Sequence, residues 1–175
     1  MNDAQLPAVS LRALEPEDLE WIYELENLPD IWCVSSTNVP FSRYLLHEYL
    51  AKNTCDIYTD KQARLVVENS EGIAVGLIDI VRFEPSHRRA EVGLVILPRY
   101  RHQGYGVSAL QSLHRYALQT LHLHQLYAIV PADNAASATL FQLIGYDVAA
   151  TLTDWLFDGE KYNDAYLMQT FLRKK

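Results

Sequence analysis

The stretch that most constrains the fold runs from Glu91 to Leu121, EVGLVILPRYRHQGYGVSALQSLHRYALQTL. An apolar run, Val92 to Leu97, comes first. Pro98 and a short basic loop, Arg99 to Gly106, follow, with glycines at 104 and 106. A helical pattern then places Val107, Leu110, Leu113, Ala117, Leu118 and Leu121 on or near one face. The spacing predicts strand, loop, helix. Arg99 and Arg101 stand beside the glycines where the helix begins. Glycine lets backbone come close to a ligand. A helix N-terminus presents unpaired N–H groups and a partial positive charge. Together they predict a site for a phosphate-bearing ligand.

The rest of the chain supplies a sheet for that unit. Ala8 to Leu14 alternates weakly and reads as a first strand. Pro16, with Glu15, Glu17 and Asp18, opens a helix that ends near Asn27, before Pro29. Ile31 to Pro40 reads as a loop or short helix. Ser42 caps a second helix, Tyr44 to about Lys52. Ala63 to Asn69, Ile73 to Phe83 and Arg89 to Leu97 are consecutive strands, joined by turns at Ser70–Gly72 and Pro85–His87. Gln125 to Val130 is a short strand. It follows a helix, so it should lie parallel to the strand before that helix. Asp133 and Asn134 begin another helix, Ala135 to Ile144, stopped by Gly145. Tyr146 to Thr153 and Lys161 to Phe171 form a last hairpin around Asp158 and Gly159. The order is β-α-α-β-β-β-α-β-α-β-β: an α/β (α+β) fold with a single mixed sheet of about seven strands, in one domain, 1–175.

Composition narrows the function. The formal net charge is −7, which argues against general nucleic-acid binding through phosphate neutralisation. Residues 1–60 hold 3 Lys/Arg and 11 Asp/Glu, a balance of 3 − 11 = −8. That excess is either a pair of solvated acidic helices or a pocket for a cationic acceptor. Cys33 and Cys55 lack metal or redox spacing, and free thiols in a reducing compartment are expected. No apolar run approaches a membrane span, and MNDAQLPAV does not read as a signal peptide. A cytoplasmic protein is expected. His114, His122 and His124 gather near a helix end without an acidic or cysteine ligand, so no metal is expected.

The element order, with this loop after the fourth strand, resembles the GCN5-related N-acetyltransferases (GNAT). Their signature is Arg or Gln, two residues, Gly, one residue, then Gly or Ala; here it is Arg101 to Gly106, RHQGYG. Asn134, then Phe141, Gly145 and Tyr146, match a second signature. The tract His87 to Glu91 with the following strand and Pro98 is similar to the branch of spermidine acetyltransferases and ribosomal-protein N-terminal acetyltransferases. The resemblance implies acetyl-CoA as co-substrate and no metal. It puts Val95, Ile96 and Leu97 along the pantetheine arm. It gives the pyrophosphate to the loop at Arg101, His102, Gln103, Gly104, Tyr105, Gly106 and Val107. Asn134 would bond the arm, and Phe141 would lie near the sulfur. The implied reaction is acetyl transfer to a primary amine, a small cationic amine or polyamine such as spermidine. The alternatives are a protein N-terminus, or a non-catalytic CoA-binding module. Such folds often associate through their final strands, so a homo-oligomer is open.

The chemistry needs a neutral amine, a donor for the developing oxyanion and a fate for the leaving thiolate. Glu91 and Asp79 are the candidate bases. Glu91 begins the cofactor strand and Asp79 lies on its hairpin partner. Two departures from the family pattern matter. Many relatives have tyrosine where this chain has Phe141, which has no proton to give; Tyr127, Tyr146 or Tyr105 could substitute, or positioning alone could carry the reaction. Spermidine enzymes also carry a Glu-Glu pair where this chain reads Val34 to Phe41 without one. Glu26, Asp30, Asp79 and Glu84 remain as sources of negative charge. Trp21, Trp32 and Trp155 are expected in the core or in pocket walls, with Trp32 nearest a substrate.

Overall fold

The computed structural model describes residues 6–28, 39–52 and 56–173. In chain order these form β1 (Val9–Ala13), α1 (Leu19–Glu26), α2 (Arg43–Lys52), α3 (Ile57–Asp60), β2 (Ala63–Asn69), β3 (Ala74–Glu84) and β4 (Arg89–Ile96). They continue with α4 (Tyr105–Gln119), β5 (Gln125–Pro131), α5 (Ala135–Leu143), β6 (Asp147–Phe157) and β7 (Tyr162–Phe171). Short 3-10 turns stand at Pro16–Asp18 and Pro98–Tyr100. The sheet has 7 strands in the order β1-β2-β3-β4-β5-β7-β6. Neighbours are antiparallel except β4 and β5, which α4 joins in parallel, as the sequence predicts.

Local chemistry sets the turns. Glu15 and Asp18 form a capping box around Pro16. The Asn69 side chain accepts from the amides of Glu71 and Ile73, and Gly72 takes φ 76, closing the β2–β3 hairpin. Asp158 does the same for the β6–β7 turn by accepting from the amides of Glu160 and Lys161.

The sheet divides the core into two layers. On one face Ile78, Ile80, Val92, Leu126, Ala128 and Met168 meet Leu110 and Leu113 of α4. On the other, Val66 and Leu77 meet Leu25 of α1, with Trp21, Val95 and Leu97 packed around them. Alternation along β4 follows from the strand period of 2. It sends Ala90, Val92 and Leu94 toward α4, and Glu91, Gly93 and Val95 to the opposite face.

The structure departs from the sequence reading in three places. The one-turn helix α3 was not expected. It is made by Asp56, whose side chain accepts from the Tyr58 amide at 3.0 Å, and it ends at Lys61 with φ 55. One polar cap without apolar periodicity leaves little for pattern reading to detect. Strand β6 runs on to Phe157 rather than stopping at Thr153. Trp155 consequently stands on an edge strand at 53% exposure, not in the core. Trp32, Asp30 and all but the end of the Val34–Phe41 tract lie outside the described residues.

Candidate active site

The sheet opens in its middle. The β4–β5 ladder holds only Arg89 with Gln125, Ala90 with Leu126 and Glu91 with Tyr127. Both strands continue past that point, to Ile96 and to Pro131. Strand β5 stays paired with β7 along its whole length, as β4 does with β3 up to Ile96. Each strand follows its outer partner, and the two diverge beyond Glu91. From Val92 to Ile96 one edge of β4 therefore has no neighbouring strand among the described residues. Such an edge presents N–H and C=O groups that an extended ligand can pair with.

At the far end of that edge the chain turns into α4. His102 and Gly104 take the left-handed conformation, with φ 61 and φ 87. Left-handed residues in a tight turn can aim successive amides toward one point. The first amide to find a backbone acceptor is that of Ser108, on the Gly104 carbonyl at 3.1 Å. The amides from His102 to Val107 have no acceptor among the described residues. A run of unsatisfied donors at a helix N-terminus is an anion site by electrostatics alone. Two side chains expected at the ligand also bond within the loop. Arg101 Nε donates to the Ile96 carbonyl at 3.0 Å, and Gln103 Nε2 donates to the Arg99 carbonyl at 2.8 Å. Packing is tight at Gly106, where a Cβ would lie 3.0 Å from the end of the Leu140 side chain of α5.

Across the opening, Asn134 caps α5, its side-chain oxygen accepting from the Ser137 amide at 3.0 Å. The Asn134 side-chain NH2 has no acceptor among the described residues. Phe141 is buried at 5% exposure, its ring edge-on to Tyr146 at 4.9 Å. Tyr146 is buried in turn, and its hydroxyl lies 3.2 Å from His114 Nε2. Burial holds the Tyr146 phenol above its ordinary value and His114 below its own. Tyr105 stands at the start of α4, edge-on to Tyr100 at 5.7 Å.

The two candidate bases share the other face of the sheet. Asp79 is opposite Gly93 in the β3–β4 ladder, and a Cβ on Gly93 would lie 3.6 Å from the Asp79 Cβ. Arg64 of β2 grips Asp79 with two bonds, Nε to Oδ1 at 2.7 Å and NH2 to Oδ2 at 3.1 Å, and its third arm reaches the buried Glu26. Burial opposes the charge on Arg64, but Asp79 and Glu26 more than offset it, so the guanidinium is held above its ordinary value. Glu91, at the mouth of the split, pairs with Arg82 at 2.9 Å. No sequence signal marked Arg64 or Arg82 as members of this face, because both meet their partners through sheet register. Beside Arg64, between α2 and β2, lies an open cavity of about 370 Å³ lined by Glu48, Tyr49, Lys52 and Asp60 among others.

Comparison with known proteins assigns this arrangement. The family described as Acetyltransferase (GNAT) domain matches residues 9–147. The chain belongs to the GNAT acetyltransferases. It is 30% identical over 170 residues to the spermidine N(1)-acetyltransferase of Escherichia coli K12, covering 94% of this chain and 86% of that protein. The crystal structure of spermidine N-acetyltransferase from Vibrio cholerae in complex with CoA and spermine superposes with a TM-score of 0.83 at 27% identity, over 94% of this chain and 95% of that one. A dodecameric structure of the Vibrio cholerae enzyme gives a TM-score of 0.80 at 26% identity, over 94% of each chain. As a GNAT acetyltransferase the chain uses acetyl-CoA as its donor and an amine as its acceptor. The split sheet and the open amide run are what such an enzyme needs. Both are backbone features, so they tolerate wide variation in side chains.

Proposed function

We propose that this GNAT acetyltransferase moves the acetyl group of acetyl-CoA to a primary amine of a small polycation such as spermidine. The observation that carries the donor half is the run of unsatisfied amides from His102 to Val107 at the end of a free strand edge. The amides of His102 to Val107 would hold the pyrophosphate. The backbone of Val95, Ile96 and Leu97 would pair with the pantetheine arm as an added strand. The free Asn134 NH2 would donate to an amide carbonyl of the arm, and Phe141 would offer an apolar wall on the α5 side. Arg101 and Gln103 would act by fixing the loop rather than by touching the phosphates.

The acceptor half rests on charge. Asp79 and Glu91 lie on one sheet face, two strand positions apart on the Gly93 register. Glu26 stands behind Arg64, and residues 1–60 carry the chain's acidic excess. Even with Arg64 and Arg82 paired to them, Glu26, Asp79 and Glu91 leave this face acidic, which favours a cation and offers a route, through water, for the proton its amine must lose. Spermidine and spermine appear in the names of the relatives, which supports the same class.

A thiol-release assay across polyamines, diamines and peptides with free N-termini tests this reading. Turnover should be highest on spermidine or spermine. Acetylation of peptides alone would overturn the acceptor assignment, and tight acetyl-CoA binding without turnover on any amine would overturn the enzyme itself.

Self-association belongs to the same proposal. Nearly the whole of edge strand β6 is exposed, and Trp155, Phe157, Tyr162 and Phe171 stand 47–62% exposed along the β6–β7 hairpin. An apolar edge of this kind in a monomer invites pairing. A second copy of the chain is the proposed occupant, in keeping with the dodecameric relative.

A further inference from the structure

The reaction needs a proton for the departing thiolate, and Phe141 cannot give one. We infer that Tyr127 is the proton donor to the CoA sulfur and that Arg82 is the residue that positions it. The inference rests on the acetyltransferase reading and adds a residue to it.

Register supplies the first argument. Glu91 and Tyr127 are the last pair before β4 and β5 diverge. A ligand arm anchored at the amide run and laid along Val92 to Ile96 covers about 16 Å of strand and ends at this pair. Paired residues of parallel strands point to the same face. The Tyr127 ring therefore accompanies Glu91 on the face where the acceptor acids lie.

Arg82 supplies the second. It sits in the irregularity of β3 between Val81 and Glu84, with φ 47. A side chain other than glycine rarely adopts that conformation, and such strain gathers where it serves a site. The distortion brings the Arg82 guanidinium to 2.9 Å from Glu91, the ladder partner of Tyr127. The charged groups facing that hydroxyl are Glu91 from β4 and Arg82 and Glu84 from β3; its β7 partner, Gln169, is neutral. Burial first, and Glu91 next, raise the phenol above its ordinary value, while Arg82 works against them. The group therefore keeps its proton at neutral pH and has a cation at hand when it gives it up.

The other two candidate tyrosines are committed elsewhere. The Tyr146 hydroxyl is buried against His114 in the opposite layer, and Tyr105 stacks on Tyr100 beside the amide run. The proton count closes on Tyr127. The amine nitrogen forms a bond to the thioester carbon. The C–S bond breaks and its electron pair goes to sulfur. The Tyr127 proton passes to that sulfur, leaving a phenolate beside Arg82. The proton released by the amine, carried by Glu91 and water, restores the phenol.

The test is the pH profile of kcat. Tyr127→Phe should lower kcat on the order of 100-fold, leave CoA affinity unchanged, and abolish the alkaline limb. Difluorotyrosine placed at 127 keeps the ring shape and lowers the phenol pKa; it should move that limb to lower pH. Arg82→Gln should move it to higher pH, an effect that a merely structural role would not produce. Wild-type kcat in Tyr127→Phe, or a limb that ignores difluorotyrosine, would overturn the donor assignment. A limb unmoved by Arg82→Gln would overturn the positioning role. A wild-type enzyme inactive on every amine would overturn the acetyltransferase reading and this inference with it.

Discussion

The split edge of the sheet and the sheet face beside it solve recognition in opposite ways. On the donor side, residues 92–107 offer backbone: a free strand edge and amides without acceptors. On the acceptor side the polar groups are side chains, and they are already engaged. Asp79 is clasped by Arg64, Arg64 by Glu26, and Glu91 by Arg82. A backbone site is specified by a few glycines and a fold, whereas a side-chain site can be rewritten one residue at a time. The donor is therefore common to the whole family, and the acceptor is where members differ.

If the comparison holds, damage on the two sides should separate donor binding from acceptor use. The largest effect is expected at Gly104, whose φ of 87 disfavours any side chain and whose Cβ would meet Pro7 at 3.0 Å. Gly104→Val should weaken CoA binding more than 100-fold, about 3 kcal/mol, measured by calorimetry on protein with an unchanged circular dichroism spectrum. Retained affinity would break the donor half. Next, Arg64→Met should lower stability by about 3 kcal/mol in a denaturant titration, because it removes the part-buried cation that Asp79 and Glu26 share. Asp79→Asn should be milder and selective, raising the KM for the polyamine about tenfold while the KM for acetyl-CoA stays put. Equal changes in both KM values would erase the distinction between the sides.

The smallest effect concerns acid stability, away from both sides. Burial disfavours the Asp18 carboxylate, but hydrogen bonds from Arg12, Trp21 and the Glu15 amide more than offset it and lower its pKa from 3.8 to about 2. A depressed carboxyl stabilises the fold above its unfolded value. Asp18 should therefore contribute fully above pH 4 and lose its contribution as pH falls toward 2. Asp18→Asn should flatten that part of the stability-versus-pH curve while leaving the CoA affinity at pH 7 unchanged.

The same contrast explains what could be read in the chain before its structure. The strand, loop and helix from Glu91 to Leu121 were legible because glycine positions and apolar spacing are local signals. So was the parallel β4–β5 pair, which a helical crossover demands. The divergence of those strands beyond Glu91 was not legible, since it results from pairing with β3 and β7; the resemblance implied only that Val95, Ile96 and Leu97 meet the pantetheine arm. Arg64 and Arg82 were invisible for a related reason. Each reaches its carboxylate across a strand, and Arg82 does so through a backbone irregularity that no residue pattern announces. Trp155 misled because a large aromatic usually seeks a core, and here it lies on an edge strand that a second copy would cover. The bond from Arg101 Nε to the Ile96 carbonyl was likewise invisible, because it depends on how the loop folds back on β4.

The central claim is that donor and acceptor are recognised by different kinds of group: backbone along the split edge of β4 for the donor, and side chains on the sheet face beside it for the acceptor. Backbone amide NMR shifts during stepwise addition of CoA and then spermidine test it most directly. The account predicts that CoA shifts the amides of His102 to Val107 and of Val92 to Ile96 and leaves the amides of Arg64 and Asp79 undisturbed. Spermidine should then act on the Asp79 and Glu91 face. CoA shifts that spare the His102–Val107 amides, or that centre on the cavity beside Arg64, would contradict it.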